Sequence, residues 1–516
     1  AGAGGRRVVL LILDGWGINT DPDANAAALA DTPFLDMLVS TFPKCELTCS
    51  GNSVGLPEGT MGNSEVGHMN IGAGRIVPQD FVRINTAIRD RSFFDTPALK
   101  AAMTHAAENN TGLHLMGLLS DGGVHSHISH LFALIEMAGD IGVQHLFIHP
   151  ILDGRDTSPT SGVKYLRQLE TFLADTGTGR IATLVGRYWA IARDTRWDWV
   201  QRAYDLFTSG TGEQAENAVD AVARAYENSR TDEFIEPVSL IDPGDAADSR
   251  IKDNDSLIFF NFRADRAKEI TRAFTEKDFS GFERKKKIAL SHFVCMTRYD
   301  ETFPLPVAFG PQHLDQIFGQ VLSRNRISQL RIAETEKYAH VTYFFNGGDE
   351  KTFDLEERIL IPSPRDVSTY DLKPEMSAEK VAEKACEQIR SGRFGFVVLN
   401  FANMDMVGHT GILDAAVKAC ETVDRCVRKV VEAIWETGGT AFVTADHGNC
   451  EQMKAEDGSA HTAHTLNPVC FILAGTDYKG RTLRNGILGD IAPTILQVLD
   501  IEPPSEMTGT SLLQTP

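Results

Sequence analysis

Long apolar runs and positive charge are both scarce in this sequence of 516 residues. No stretch approaches the eighteen or so consecutive apolar residues that a membrane span needs, so we expect no membrane association. Residues 1–7 hold no apolar region of signal-peptide length, so we expect a cytoplasmic protein. The formal net charge of −20 argues against nucleic-acid binding, although local arginines could still form a site for a small anion.

Cysteine is sparse and scattered, and low-complexity sequence and internal repeats are missing. None of the eight cysteines forms a C-x-x-C pair, which argues against a cysteine-based zinc site and indicates reduced thiols. The apolar and charged fractions are those of an ordinary globular protein. The length is large for one core and indicates two or more domains.

Four apolar runs with polar residues at or beside their ends indicate one parallel-type sheet built from both ends of the chain. These buried strands are predicted at residues 7–13, 394–401, 440–444 and 467–473. Helices are predicted at residues 23–40, 311–323 and 412–436. Nearly 400 residues separate the first strand from the others, so we expect residues 1–76 and 311–516 to form one domain. Residues 77–310 would be an inserted domain, with Pro78 and the Pro304/Pro306 segment as hinges.

The predicted inserted domain repeats one pattern, an apolar strand followed by a loop that carries arginine, histidine or aspartate. Such strands are predicted at residues 113–119, 146–151, 181–185 and 256–260. Ligands gather at the carboxyl ends of strands in open α/β sheets, so these loops could converge on an anion. The side chains concerned are His125, Arg155, Asp156, Arg187, Arg193, Arg263 and Arg266.

A set of carboxylates and imidazoles follows the strands of the first predicted domain. Its members are Asp14, Ser64, Asp405, His409, Asp446, His447 and His464. Seven ligands are too many for one tetrahedral ion and suit two neighbouring divalent ions, which can clamp both oxygens of a phosphoryl transfer. Oxygen and imidazole donors without thiolate fit Mn²⁺, Zn²⁺ or Co²⁺ better than Mg²⁺ alone.

Residues 61–75 form a glycine-rich stretch in which Ser64 stands at a possible helix start. A helix N-terminus favours anions such as phosphate, so Ser64 could be an activated nucleophile. The alternative is that Ser64 only caps the helix. Two further histidines, His127 and His130, are left without a role because a solvated loop would explain them equally well.

The whole pattern resembles the cofactor-independent (2,3-bisphosphoglycerate-independent) phosphoglycerate mutases of the alkaline phosphatase superfamily. The matching motifs span nearly the whole chain in the family's order, at residues 61–68, 120–127, 153–156, 261–266, 405–411 and 444–449. The resemblance implies an α/β fold with an alkaline-phosphatase-like central sheet sandwiched by helices and a second, inserted α/β domain. It also implies a monomer that interconverts 3-phosphoglycerate and 2-phosphoglycerate, in glycolysis and gluconeogenesis, without 2,3-bisphosphoglycerate.

The resemblance also implies individual roles, carried over by position. Ser64 would become the phosphoserine. Asp405, His409 and His464 would hold one Mn²⁺, with Co²⁺, Mg²⁺ or Zn²⁺ as other choices. Asp14, Ser64, Asp446 and His447 would hold a second ion. The phosphoglycerate would be bound by His125, Arg155, Asp156, Arg187, Arg193, Arg263, Arg266 and Lys337, and Asp156 is our candidate to shuttle hydroxyl protons.

Three alternatives remain open from the sequence. A metal-dependent phosphomonoesterase would use the same nucleophile and metals, but hydrolysis needs no arginine-rich trap for the dephosphorylated alcohol. A phosphopentomutase of the same superfamily would carry threonine in place of Ser64. A non-catalytic binding protein should have lost metal ligands, and none of the seven is missing.

Overall fold

The computed structural model of the protein describes residues 6–240 and 248–514. The prediction about a secretory leader rests mainly on residues 1–5, which lie outside the described residues. Within the described ranges, no helix combines the length and the apolar character that crossing a membrane requires. The predicted α/β class is confirmed, since helices and strands alternate along both sheets.

The strands and helices have the following bounds along the chain. The strands are Val8–Leu13 (β1), Lys44–Thr48 (β2), Gly112–Leu119 (β3), His145–Leu152 (β4), Arg180–Ile181 (β5), Thr183–Gly186 (β6), Glu213–Gln214 (β7), Val238–Ser239 (β8), Ser256–Phe259 (β9), His292–Thr297 (β10), Val307–Phe309 (β11), Gln329–Glu334 (β12), Glu356–Ile361 (β13), Phe396–Phe401 (β14), Thr440–Thr444 (β15), Val469–Ala474 (β16) and Gly486–Ile487 (β17). The helices are Ala26–Leu29 (α1), Pro33–Thr41 (α2), Ser64–Ala73 (α3), Asp80–Arg89 (α4), Pro97–Asn109 (α5), Ile128–Ile141 (α6), Gly162–Thr176 (α7), Arg187–Ala190 (α8), Trp197–Ser209 (α9), Ala218–Glu227 (α10), Lys268–Thr275 (α11), Phe318–Arg324 (α12), Thr335–Ala339 (α13), Ala378–Arg390 (α14), Asn403–Gly408 (α15), Leu413–Glu436 (α16) and Ile491–Val498 (α17).

The chain divides into two compact units. The first combines the residues up to Gln79 with those from His313 onward, and the second is Asp80–Gln312. The segment with Pro304 and Pro306 lies inside the second unit rather than at its border. There the Pro306 carbonyl accepts a hydrogen bond from the Cys295 amide, and β11 pairs with β10 directly afterwards.

The first unit is built on an eight-stranded sheet in the order β13-β12-β14-β1-β15-β16-β2-β17. Strand β1 lies between β14 and β15 and is parallel to both. Its alternate side chains enter different cores: Val9 and Leu11 pack with α14 and α16, whereas Leu10 and Ile12 pack with α17. A strand covered on both faces needs a continuous apolar sequence, which explains the apolar run of β1.

The second unit has its own sheet, in the order β11-β10-β9-β3-β4-β6-β8-β7 with β5 beside β4. Strands β9, β3, β4 and β6 are neighbours and run parallel. Leu113 and Leu115 of β3 face one core, and Met116 and Leu118 face another. The loops that follow these four strands therefore leave from the same edge of the sheet.

Two predicted helices were wrong in extent. The helix predicted at 23–40 is two helices, because Ala30 is extended and Pro33 starts α2 at a position where proline is favoured. The helix predicted at 311–323 begins only at Phe318. Gln316 takes a left-handed φ of 57°, which the interior of a right-handed helix does not admit. The helix predicted at 412–436 is confirmed as α16.

Candidate active site and metal centre

The predicted ligands of the first unit gather at the carboxyl ends of three neighbouring parallel strands. Asp14 directly follows β1, Asp405 lies on α15 after β14, and Asp446 and His447 follow β15. His464 precedes β16, which is antiparallel to β15 and so starts at the same edge. The sheet therefore brings together residues that are far apart in sequence.

Helix α3 places Ser64 in this cluster. The N-cap is Asn63, whose side chain accepts a hydrogen bond from the Val66 amide at 2.9 Å, so the alternative in which Ser64 is only the cap was wrong. Ser64 is instead the first residue of the helix, where free amides and the helix dipole favour an anion. Gly67 allows the close approach, because a Cβ there would lie 2.8 Å from the Asp446 Cβ.

The Ser64 hydroxyl has three charged or ionisable neighbours. It donates to Asp14 Oδ1 at 3.0 Å and lies 3.0 Å from His447 Nε2. Lys337 Nζ donates to the same hydroxyl at 2.6 Å. Ser64 is only 5% exposed, so these contacts act with little screening by water.

Asp405 is the centre of a second group of ligands. Its Oδ1 lies 3.2 Å from both His409 Nε2 and His464 Nε2. Asn449 donates to the same oxygen at 2.8 Å, and Lys337 Nζ donates to Oδ2 at 2.7 Å. The other ring nitrogens of the two histidines lie beside backbone carbonyls, which fixes the ring orientations as in many metal sites.

Lys337 dominates the electrostatics of the cluster. Burial is the largest influence on Asp14 and opposes its ionisation, but the Lys337 ammonium together with His447 more than compensates and holds the pKa of that carboxyl well below its usual value. Burial likewise opposes a charge on Asp405, and Lys337 again holds its pKa well below the usual value. For His447, the neighbouring carboxylates outweigh burial and raise the pKa to about 10. The carboxylates are therefore ionised and attract cations.

The residues fit divalent metal ions. Three triads have ligand atoms within reach of one ion: Asp405 with His409 and His464, Asp14 with Asp405 and His447, and Asp14 with His68 and Asp446. The buried Asp446 Oδ2 atom accepts no described hydrogen bond, although His68 Nδ1 lies 3.2 Å away, so it keeps lone pairs for a cation. Carboxylate and imidazole donors without thiolate suit several divalent ions, Mn²⁺, Co²⁺ and Zn²⁺ among them.

The second unit has a separate cluster at the strand-end loops. Arg187, only 3% exposed, donates to Asp153 Oδ1 at 2.7 Å and to Asp156 Oδ2 at 2.6 Å. Asp153 also accepts the Ser120 hydroxyl at 2.6 Å. His125 Nε2 lies 3.8 Å from Asp156. These contacts hold Asp156 in a fixed position beside a buried cation.

A polar cavity of about 200 Å³ opens beside this cluster. Its lining is dominated by cations, namely Arg155, Arg187, Arg193, Arg196 and Arg266. Burial and then the like charges of the neighbouring arginines lower the pKa of Arg266, which indicates an excess of positive charge. Such a cavity suits a small anion.

Arg263 does not line that cavity but reaches the same group of side chains through Asp265. The Asp265 carboxylate lies 3.1 Å from Arg263 Nε and 3.7 Å from Arg193 Nη1. Its other neighbour is His125 Nδ1, at 3.8 Å. Burial and then the Arg187 charge lower the pKa of His125 to about 4, so its imidazole is neutral at pH 7.

The predicted site residues thus fall into two groups. Lys337, predicted with the substrate-binding set, lies in the first unit beside Ser64, whereas the rest of that set lies in the second unit. The two histidines without an assigned role contact their own unit: His127 caps α6, and His130 is buried with Nε2 2.7 Å from Asn85 Oδ1.

Sequence reasoning missed several partners of the predicted residues, namely the buried His68, Asn400, Asn449 and Asp153 and the partly exposed Asp265. Two of them left a signal in the sequence. Asn400 is a polar residue inside an apolar strand, and His68 lies one helical turn after Ser64. A search for polar side chains at such positions would have found both.

The fold and the site together define a two-unit α/β protein whose first unit gathers carboxylate and imidazole side chains suited to divalent metal ions around a buried serine. The family model described as BPG-independent PGAM N-terminus (iPGM_N) matches residues 84–301. A 2,3-bisphosphoglycerate-independent phosphoglycerate mutase of Syntrophotalea carbinolica is 55% identical, over 99% of this chain and 98% of the relative. A second such relative, from Methanosarcina acetivorans, is 52% identical over 98% of this chain and 97% of its own length.

A solved structure agrees with these relatives. The crystal structure of Leishmania mexicana phosphoglycerate mutase at low cobalt concentration matches with a TM-score of 0.67 and 31% identity. The match covers 100% of this chain and 99% of that one. The chain belongs to the family of 2,3-bisphosphoglycerate-independent phosphoglycerate mutases.

Proposed function

We propose that the protein interconverts 3-phosphoglycerate and 2-phosphoglycerate through a phosphoserine at Ser64, without 2,3-bisphosphoglycerate. The observation that carries the proposal is the setting of Ser64, at a helix N-terminus and within 3.0 Å of Asp14, His447 and Lys337. The names of the relatives support the same reaction. We place this step of glycolysis and gluconeogenesis in the cytoplasm, and since one chain supplies every proposed residue, we propose a monomer.

Two divalent ions, which we propose to be Mn²⁺, would be held by the predicted ligands. Asp405, His409 and His464 would hold one, and Asp14, Ser64, Asp446 and His447 would hold the other. When bound, such ions lower the pKa of a coordinated hydroxyl and neutralise charge on phosphoryl oxygens. The Leishmania mexicana relative was crystallised at low cobalt concentration, which supports a divalent ion of this type.

The chain's own groups prepare Ser64 for attack. The hydroxyl proton points to Asp14 Oδ1, which leaves an oxygen lone pair for the phosphorus atom. Lys337 Nζ, at 2.6 Å from the same oxygen, stabilises negative charge there and can next contact the phosphoryl oxygens. The phosphoryl group would move in line from the substrate oxygen to Ser64 Oγ as the serine proton passes to Asp14, and the departing substrate oxygen would take up a proton from Asp156.

The second unit would hold the glycerate until the phosphoryl group returns to its other hydroxyl. The guanidinium forks of Arg155, Arg187, Arg193, Arg263 and Arg266 suit its carboxylate and the phosphoryl oxygens, and His125 would contact the same anion. Asp156 would carry the hydroxyl protons, because Arg187 fixes its Oδ2 at 2.6 Å in this cluster.

Phosphate hydrolysis is the competing activity. A phosphomonoesterase would share the nucleophile and metal ligands, but it would have no use for the arginine-lined cavity of the second unit. Retention of the glycerate is what separates a mutase from a phosphatase. The cavity therefore favours the mutase.

The test is an assay of the purified chain with 3-phosphoglycerate after treatment with EDTA. We expect no 2-phosphoglycerate until Mn²⁺ or Co²⁺ is restored, and then full activity without 2,3-bisphosphoglycerate. Phosphate release, measured on the same samples, should stay far below isomerisation. Activity in a metal-free preparation, a need for 2,3-bisphosphoglycerate, or phosphate as the main product would each contradict the proposal.

A further inference from the structure

His68 is a fully buried histidine that lies behind the metal-ligand cluster. It stands on α3 four residues after Ser64, so its side chain lies over the first turn of that helix. Its Nδ1 is 2.8 Å from the Ser64 carbonyl oxygen and 3.2 Å from Asp446 Oδ2. Its Nε2 is 3.1 Å from Asn400 Nδ2.

These partners determine which ring nitrogen carries the proton. A carbonyl oxygen can only accept, so His68 Nδ1 must donate to Ser64. An amide nitrogen can only donate, so His68 Nε2 must accept from Asn400. The ring is then a neutral imidazole with its hydrogen on Nδ1, where it also faces the Asp446 carboxylate.

Asn400 extends this arrangement to a second carboxylate. Its Nδ2 donates to Asp14 Oδ2 at 2.8 Å as well as to His68. All four side chains, those of Asp446, His68, Asn400 and Asp14, are completely buried. A continuous series of polar contacts therefore joins the two carboxylates on either side of Ser64.

We infer that His68, through Asn400, is a positioning residue that sets the spacing of the Asp14 and Asp446 carboxylates for metal binding. The inference rests on the proposed metal site. His68 lies within ligand distance of Asp14 and Asp446, but both of its ring nitrogens are committed to protein partners, so we assign it a role through Asp446 rather than direct coordination. Partners of metal ligands typically change metal affinity 10–100-fold when they are removed.

The decisive measurement is Mn²⁺ affinity by calorimetry on the metal-stripped full chain. His68→Leu should weaken binding about 10–100-fold, whereas His68→Gln, whose amide can still donate to the Ser64 carbonyl beside Asp446, should recover part of the loss. Asn400→Ala removes the contacts to Asp14 and His68, and it should also weaken Mn²⁺ binding. Circular dichroism checks that each variant is folded.

A matched control is His340→Leu. The His340 ring contacts that of His68, with centroids 5.5 Å apart, but no described hydrogen bond joins it to either carboxylate. We expect its Mn²⁺ affinity to stay within about threefold of the unmodified chain. Loss of affinity in this control equal to that of His68→Leu would assign the effect to general packing and overturn the inference.

A measurement without any variant completes the test. Nitrogen-15 NMR of the labelled histidines, with and without Zn²⁺, should show His68 neutral and protonated at Nδ1 in both samples. A zinc-bound ring nitrogen or a proton on Nε2 would overturn the inference, as would unchanged affinity in folded His68→Leu. If the unmodified chain binds no divalent ion, the proposed function fails instead, so the two failures are distinguishable.

Discussion

The Ser64 hydroxyl is the point at which the charges of the first unit meet. Lys337 supplies a positive charge, Asp14 a negative one, and His447 an imidazole, all within 3.0 Å of one oxygen atom. An oxygen with such neighbours can be stabilised as it loses its proton and as it receives a phosphoryl group. This setting distinguishes Ser64 from a serine that only caps a helix.

Replacement of Ser64 by alanine should abolish turnover and leave the fold intact. The side chain acts in the transition state, so we expect kcat to fall by a factor on the order of 10³ or more, with a much smaller change in KM. Steady-state kinetics test this. Ser53→Ala is a matched control in the same unit, because the Ser53 hydroxyl only donates to the Ser50 carbonyl. One tenth of the normal activity in Ser64→Ala would require another nucleophile.

Replacement of Arg263 by alanine should change the fate of the phosphoryl group. If the arginine cluster binds glycerate through the phosphoserine stage, weaker binding lets glycerate dissociate and exposes the phosphoserine to water. One charge-assisted contact is worth about 2–3 kcal/mol, so the ratio of phosphate release to isomerisation should rise by a factor on the order of 10–100. Product and free phosphate are measured on one preparation, with labelled glycerate added to detect exchange.

The control for that experiment is Arg224→Ala, which removes an exposed arginine of the same unit that lies 3.9 Å from the Glu213 carboxylate. The ratio in this variant should equal that of the unmodified chain. A parallel fall of both activities in Arg263→Ala, without labelled product, would place Arg263 before phosphoryl transfer and contradict the retention role.

Among the elements, three neighbouring strands of the second unit share a buried polar chain. His114 of β3 has Nδ1 2.9 Å from His149 Nε2 on β4, and His149 Nδ1 lies 2.8 Å from the Thr183 hydroxyl on β6. His114 Nε2 is 3.0 Å from Asp255 Oδ2. Burial lowers the pKa of His114 despite Asp255, and burial with the neighbouring ring lowers the pKa of His149 well below its usual value.

This buried series of polar side chains should make the stability of the second unit sensitive to acid. Because their pKa values are lowered, both histidines bind protons at lower pH in the folded state than in the unfolded state, where they take up protons below about pH 6.5. Their contribution to stability is therefore complete above that pH and is lost as the pH falls, at up to about 1.4 kcal/mol per pH unit for each group. Urea unfolding between pH 7.5 and 5 should show less pH dependence for His149→Gln than for the unmodified chain.

The control for the acid experiment is His105→Gln, which removes a partly exposed histidine of the same unit. Its pH dependence should match that of the unmodified chain. Equal slopes for all three proteins would show that His149 binds its proton equally in the folded and unfolded states, and the prediction would be wrong.

Elements and ligands differ in how well the sequence predicts them. Continuous apolar runs with a polar tip identified β1 and β15, because a strand covered on both faces admits little else. Once these strands were located, the metal ligands directly after them could be predicted as well. Local changes of backbone conformation were missed, such as the left-handed φ of Gln316 directly before α12. His68 was missed because its role depends on Asn400, and only the folded sheet brings the two together.

At the scale of the whole molecule, the proposed reaction needs groups from both units. Ser64 and the metal ligands belong to the first, and the arginine cluster belongs to the second. We expect the radius of gyration from small-angle scattering to fall when Mn²⁺ and phosphoglycerate are both present, because the substrate would engage both groups at once. The sample with Mn²⁺ alone is the control. An unchanged radius under saturating ligand would contradict this prediction.

The position of β1 in the middle of its sheet has a consequence for synthesis on the ribosome. Both neighbours of β1 come from residues beyond Gly395, and the second unit lies between them and β1 in the chain. The second unit is contiguous, so it can fold while translation continues. The apolar strand Val8–Leu13 meanwhile remains unpaired. The nascent chain therefore has to be protected from aggregation until almost the whole protein has been synthesised.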